Sequence, residues 1–334
     1  MGYSAEIIDY KGKEAIALTA GRYQAIIAPF LGSNVLRMRD TEHNIEVFRY
    51  DESLSIEQLQ ASAEVYGLPT LYLPNRLAAG KLKVSDATYQ LPINEVSFNN
   101  HIHGFLHKRE HRIVSATVDG KNAVAKTEYV YDSSDPFFEY LPVSFRAEYT
   151  FTLSDAGLDY AFTMTNTSDR QLPYGVCNHT TINGPFTENG NGLDMRLYVP
   201  IGEKWELSKY CIPTGSLLPY TNHDRQYLTG SQVPVLHVID NDVFFAEEGT
   251  LDGKPYYGAA VTDAATGLRI CYEVCKDFKF WILWNDQGQK GYFCPEPCTW
   301  IIDAPNQPIP AEESGYLELA PGESKTLTQK VYTA

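Results

Sequence analysis

The 334-residue chain has no apolar run of the length needed to cross a membrane as a helix, about 20 residues. Positive charge is also scarce: 27 Lys and Arg stand against 42 Asp and Glu, a formal net charge of −15. Such a surface repels phosphate backbones and anionic lipid, which argues against nucleic-acid and membrane-surface partners. A strongly anionic substrate is disfavoured too, unless a local basic pocket overrides the global field. The first residues, Met1 to Glu6, lack the basic-then-apolar pattern of a secretion signal, so a cytoplasmic location is expected. Low-complexity linkers, charge blocks and fixed-period repeats are absent, and one domain over residues 1–334 is expected.

Cysteine is sparse, with six residues, and reduced thiols are expected in a chain of this kind. The pairs Cys271/Cys275 and Cys294/Cys298 superficially suggest a four-thiolate zinc site. However, Cys271 and Cys275 lie in a strand-like run, where residues four apart are separated by about 13 Å. Ligands at about 2.3 Å from one zinc cannot span that distance, and no metal is expected.

What the chain has in quantity is aromatic side chains and strand patterning. From Val143 to Leu153 every odd position is apolar and every even position polar, the period of a strand with one buried face. A turn at Ser154–Gly157 leads into Leu158–Thr165, which alternates again and predicts an antiparallel hairpin. Lys279–Trp284 is apolar on both parities and predicts a central strand covered on both faces. One helix is expected between Ser55 and Tyr66, with Ser55 as cap, Gln58 completing a capping box and Gly67-Leu68-Pro69 ending it. The rhythm of short strands and turns predicts an all-β, large antiparallel β-sandwich with few short helices. The 23 Tyr, 15 Phe and 4 Trp suit such sheets. They also suit a sugar site, because rings cover the apolar faces of pyranoses.

Four segments carry candidate chemistry. Leu73–Gly80 contains Asn75-Arg76, and a guanidinium offers planar donors suited to paired hydroxyls. Asn94-Glu95 precedes Asn99–Phe105, where an extended chain would point His101 and His103 to one face. Leu172–Ile182 places His179 among small polar residues after a strand-like segment, and imidazole is well suited to proton transfer near neutral pH. In Tyr292–Trp300, Glu296 stands between Pro295 and Pro297 inside an apolar aromatic stretch. The prolines fix the backbone, and partial desolvation would raise the carboxyl towards the range of a useful base.

The order and form of these segments resemble the aldose 1-epimerase, or galactose mutarotase, family. The resemblance rests on Asn75-Arg76-Leu77-Ala78-Ala79-Gly80, on Tyr89-Gln90-Leu91 with Asn94-Glu95 and His103-Gly104, and on Thr165–Asp169 leading to His179. It continues through Ile212-Pro213-Thr214-Gly215 to Cys294-Pro295-Glu296-Pro297 with Asp303-Ala304-Pro305-Asn306. It implies that Glu296 is the general base and His179 the general acid. It further implies that Arg76, His103 and Asn75 bind substrate, and that Asp242, or the nearby Asp240, is the site aspartate. Two positions depart from the family pattern: His111 stands where an aromatic residue is usual, and Thr180-Thr181 replace an aromatic pair. Both are expected to alter the sugar pocket.

The implied activity is a cofactor-free interconversion of the α and β anomers of an aldose, with a small sugar as partner. In such a reaction the acidic limb of the rate profile is expected to report a carboxylate and the basic limb an imidazole. Two other readings remain open on the sequence. One is a sugar-phosphate or acidic-sugar mutarotase, for which Lys81, Lys83, Lys108 and Arg109 are candidate anion ligands. The other is a carbohydrate-binding protein without catalysis.

Overall fold

A computed structural model describes residues 2–288 and 290–334. Antiparallel sheets dominate it. Two eight-stranded sheets form the body, and a five-stranded sheet built from residues 3–46 adjoins them. The first large sheet runs in the order Arg112–Asp119, Asn122–Tyr131, Phe145–Ser154, Gly157–Asn166, Ser324–Thr333, Arg269–Val274, Gly258–Asp263 and Met195–Tyr198. The second contains Pro213–Leu218, Ile201–Leu207, Asp242–Ala246, Phe280–Trp284, Tyr292–Cys298, Cys177–Asn178 and Thr70–Leu71 in that order. Ile182–Asn183 pairs with Tyr292–Cys298 off this path.

The alternation in the sequence becomes the burial of the first sheet. Phe145, Ala147, Tyr149, Phe151 and Leu153 are buried, and so are Leu158, Tyr160, Phe162 and Met164 on the partner strand. The two strands pair from Phe145 opposite Asn166 to Ser154 opposite Gly157, as the hairpin reading requires. Phe280–Trp284 lies between Asp242–Ala246 and Tyr292–Cys298, a central strand as expected. The sheets close on one another through Tyr272 against Trp281, with ring centroids 6.3 Å apart. A hydrogen bond of 2.9 Å from Gln329 Nε2 to Asn178 Oδ1 also joins them. One contiguous apolar cluster runs from Ile16 to Val331.

The helix is shorter than the sequence suggests. It spans Ile56–Ala61, with Ser55 and Gln58 forming the capping box. The backbone then tightens into a 3-10 turn at Ala63–Val65 before Gly67 adopts a positive φ. Among the described residues no helix is long and apolar enough to cross a membrane.

Candidate active site

A cavity of about 290 Å³ opens at one end of the second large sheet. Glu64, Val65, Asn75, Arg76, Ile102, His103, His179, Asn241, Trp284 and Glu296 line it. Glu296 comes from Tyr292–Cys298, and both flanking prolines are inside that strand rather than ending it. The interruption of the strand on one side accommodates them. Cys177 pairs with Cys298 and Ile182 with Phe293, while residues 178–181 between them do not pair with this strand. Proline, which has no N–H to donate, is at home beside such a gap.

The same gap frees His179. Its segment leaves Cys298 and follows residues 67–71 instead, with the His179 N–H donating to the Pro69 carbonyl at 3.1 Å and the Thr181 N–H to the Gly67 carbonyl at 3.1 Å. The His179 ring is thereby directed at Glu296, with Nε2 3.3 Å from Oε1. Trp284 meets the imidazole edge-on, with centroids 5.9 Å apart.

The opposite wall is a short strand pair, Arg76–Ala78 with Asn100–Ile102. Left-handed residues bound it at both strands: Asn75 has φ 50° and His103 φ 64°. The His103 N–H donates to the Asn75 carbonyl at 2.8 Å, which holds the two together. Non-glycine residues in this conformation store strain and cluster at functional sites. Gly104 must be glycine, since it has φ 57° and a Cβ there would lie 2.0 Å from the Tyr72 carbonyl oxygen. The left-handed turn also overturns the expectation that His101 and His103 share a face. His101 is buried, bonded through Nδ1 to the Pro92 carbonyl at 2.8 Å, while His103 lines the cavity with its ring 5.4 Å from that of His179.

Several motif residues act by placing Arg76. Glu95 receives the guanidinium in a fork, with Nε at 3.0 and 2.9 Å from its two oxygens and Nη2 at 2.9 Å. Asn100 Nδ2 fixes Glu95 from the side at 3.0 Å. From the C-terminal motif, the Asp303 N–H donates to the Arg76 carbonyl at 3.0 Å, and Asp303 Oδ1 accepts from the Ala78 N–H at 3.0 Å. The remaining guanidinium nitrogen, Nη1, donates to Asn241 Oδ1 at 3.0 Å. Planar bidentate pairing of this kind fixes orientation as well as charge.

Asn241, between the two aspartates that the sequence reading weighed, lines the cavity in their place. Asp242 does not line the cavity: its carboxylate lies 2.8 Å from Lys204 Nζ and 3.7 Å from His223 Nε2. Asn241 has φ 55°, so the chain turns there and presents the amide rather than the neighbouring carboxylate. Asp240 reaches Arg76 only through Asn241, whose Nδ2 donates to Asp240 Oδ1 at 2.8 Å. The two departures from the family pattern also fall outside the cavity. His111 is buried between Tyr129 and Tyr149 and bonded to Ser33 Oγ at 2.8 Å, and Thr180 and Thr181 are buried.

The electrostatics follow from burial. Glu296 is 2% exposed and His179 5%. Desolvation pushes the Glu296 carboxyl well above the usual carboxylate range, opposed by the charge of Arg76 and by Cys177. Desolvation lowers His179 to about 4. His103 is likewise held neutral, first by burial and then by the cations and imidazoles around it. One further donor approaches: Cys294 Sγ lies within 4.8 Å of both His179 and Glu296, a set of atoms compatible with a soft metal. Burial pushes the Cys294 thiol well up, so ligation there would have to release its proton. The four cysteines of the superficial zinc pattern are divided between the two large sheets: Cys271 lies in Arg269–Val274, with Cys275 just beyond it, and Cys294 and Cys298 lie in Tyr292–Cys298.

A sequence profile of the aldose 1-epimerase family matches residues 14–332. The chain belongs to the aldose 1-epimerase family. Among solved structures, a galactose mutarotase-like protein from Clostridium acetobutylicum superposes with a TM-score of 0.95 at 31% identity, over 99% of this chain and 97% of that one. Galactose 1-epimerase from Lactobacillus acidophilus shares the fold, with a TM-score of 0.72 at 14% identity over 100% and 99% of the two chains. The uncharacterized protein YihR of Escherichia coli is 25% identical over 203 residues, 60% of this chain. The match spans 59% of the length of that curated relative. The large antiparallel β-sandwich with few short helices expected from the sequence is thus the fold of this aldose 1-epimerase family member. Asn241, Trp284, Glu64, Val65 and Ile102 are the cavity residues that the sequence reading did not single out.

Proposed function

We propose that the protein interconverts the α and β anomers of an aldose by opening and reclosing its ring. The observation that carries this reading is the buried contact of 3.3 Å between Glu296 and His179 in the wall of a sugar-sized cavity. Glu296 takes the proton of the anomeric hydroxyl, and that O–H electron pair becomes the second bond of the C1 carbonyl. The C1–O5 bond breaks onto O5, which receives a proton from His179. Rotation about C1–C2 and closure on the other face, with the roles reversed, complete the reaction. No net proton is consumed. Arg76 and Asn75 hold ring hydroxyls, His103 faces them, and Trp284 offers an apolar surface to the sugar.

The dyad carries one transferable proton, either as carboxylate with imidazolium or as carboxylic acid with neutral imidazole. Burial favours the second arrangement in the free protein, and the positive charge of Arg76 draws Glu296 back towards the first. Both have the same proton count, so the rate is bell-shaped in pH, with apparent values that belong to the pair. The acidic limb is the uptake of a second proton, resisted by the lowered imidazole. The basic limb is the loss of the shared proton, resisted by the raised carboxyl. Desolvation thus orders the limbs opposite to the sequence expectation.

Polarimetry on freshly dissolved α-aldoses, with the spontaneous rate subtracted, tests the proposal across pH. We expect acceleration with a plateau spanning neutral pH. Binding of a sugar without acceleration of any in a broad panel would leave the carbohydrate-binding reading instead.

A further inference from the structure

We propose that Cys177 is a positioning residue of the dyad, its thiol holding the second carboxylate oxygen of Glu296 so that the first faces His179. The proposal rests on the mutarotase reading for its consequence and on the fold for its geometry. Cys177 is fully buried and pairs with Cys298 on one side and Leu71 on the other. Next to it, the Thr299 N–H donates to the Val176 carbonyl at 2.9 Å and keeps the two strands in register. Opposite residues of an antiparallel pair point to one face, and so do residues two apart on a strand. Cys177, Cys298 and Glu296 therefore share a face, and Cys177 Sγ comes to 3.9 Å from Glu296 Oε2. His179 Nε2 stands 3.3 Å from Oε1. One segment, residues 177–179, thus brings a partner to each carboxylate oxygen. Asn178 between them turns away and donates from Nδ2 to Thr70 Oγ1 at 3.0 Å.

The other ionisable groups around Glu296 leave Oε2 to Cys177. Arg76 acts on the carboxyl through its charge, while its guanidinium is forked onto Glu95. His103 and Glu64 line the cavity from separate segments. Cys294 Sγ meets Thr181 Oγ1 at 3.4 Å, and Cys298 Sγ lies 3.9 Å from the main-chain carbonyl of Glu296. The use of sulfur has a consequence for the chemistry. A thiol is a weak donor, so it orients the carboxylate while stabilising the anion little. A hydroxyl or a backbone N–H in that place would stabilise the anion more and weaken the base. Burial pushes the Cys177 thiol well up, so it keeps its proton and stays a donor at neutral pH.

The test compares kcat/KM against pH in wild type, Cys177→Ala and Cys177→Ser, with Tm recorded for each. Removing the donor destabilises the Glu296 anion. The basic limb, the loss of the shared proton, should therefore move up in Cys177→Ala by about half a unit to one unit. Plateau kcat should fall by about tenfold as the carboxylate loses its fixed orientation. KM should change less, because Cys177 does not line the cavity. Cys177→Ser keeps a donor and should return the limb towards its wild-type position. A role confined to packing would lower Tm in both variants and leave the limb in place. The S–H stretching band of Cys177, assigned in the infrared by its loss in either variant, gives a second measurement that needs no turnover. It should move to lower frequency as pH rises and Glu296 becomes a charged acceptor, and it should stay fixed in Glu296→Gln. The proposal is overturned if the limb of Cys177→Ala stays in place or moves down, or if the wild-type band does not respond to pH. A responsive band without acceleration of any sugar would keep the thiol on Glu296 and remove the mutarotase. Acceleration with an indifferent band would remove Cys177 and keep the mutarotase.

Discussion

Two buried carboxylate clusters occupy the same eight-stranded sheet, two strands apart, and they are built to opposite ends. Asp242 lies opposite Leu283, and Ile282, the next residue along, lies opposite Glu296. At the first cluster, Lys204 Nζ bridges Asp224 at 2.9 Å and Asp242 at 2.8 Å. Asp224 also accepts from the Thr221 N–H at 2.7 Å and its hydroxyl at 2.8 Å. Burial alone would raise Asp224, but the bonds from Lys204 and Thr221 outweigh it and the carboxyl ends below its usual value. At the second cluster, Glu296 has, among the described residues, only His179 at 3.3 Å and the Cys177 thiol at 3.9 Å as polar partners. There desolvation wins and the carboxyl ends above its usual value. A satisfied buried carboxylate is a structural part, whereas one left short of donors is poised to exchange a proton.

The largest expected effect comes from the second cluster. Glu296→Gln keeps shape and hydrogen bonding but removes the base, and it should lower kcat by at least about 10²-fold with little change in KM. His179→Asn should do the same. Because the two groups act as a unit, the double variant should be little slower than either single one. Multiplicative losses in progress curves would show that the two groups act independently.

The next effect belongs to the first cluster and is one of stability. Lys204→Met strands the buried Asp224 carboxylate, so the protein should lose about 3 kcal/mol in urea unfolding. The rate per folded molecule should be unaffected, since Lys204 does not line the cavity. A raised KM in that variant would bring Asp242 back into the site and erase the contrast between the two clusters.

The contrast marks where the sequence was legible. Alternation over Val143–Leu153 and the two-sided apolar run ending at Trp284 report burial directly, because the strand period of two is a local property. The helix cap at Ser55 was equally local. Glu296 was legible because two prolines beside a carboxylate are chemically odd in an apolar run. Their effect on the strand was not, since it depends on Cys177–Asn178 and Ile182–Asn183 pairing at separate points along it. The left-handed turn at His103 inverts the parity on which the pairing of His101 with His103 rested, and Asp242 was named by resemblance alone, which carries no information about the left-handed turn at Asn241. Glu64 and Trp284 reach the cavity from distant segments whose meeting no local pattern encodes.

The smallest effect is the one that most directly opposes the two carboxylates. The Glu296 carboxyl is raised on folding, so between its unfolded and folded values the native state binds the extra proton. Its contribution to stability is complete below the unfolded carboxylate value and is lost as pH rises through the folded one. Gln has no such proton to lose. Glu296→Gln should therefore match the wild type near pH 5 and exceed it by a few degrees in Tm near pH 8. His179, lowered on folding, acts in the other direction: stability is lost as pH falls below the ordinary imidazole value, and this acid-side loss should persist in the variant. Asp224 is lowered on folding, so Asp224→Asn should be less stable at both pH values. Calorimetry on the three proteins separates the cases. If Glu296→Gln melts below wild type at pH 8, Glu296 is a structural carboxylate of the Asp224 kind, and the strain attributed to an acid–base site is not there.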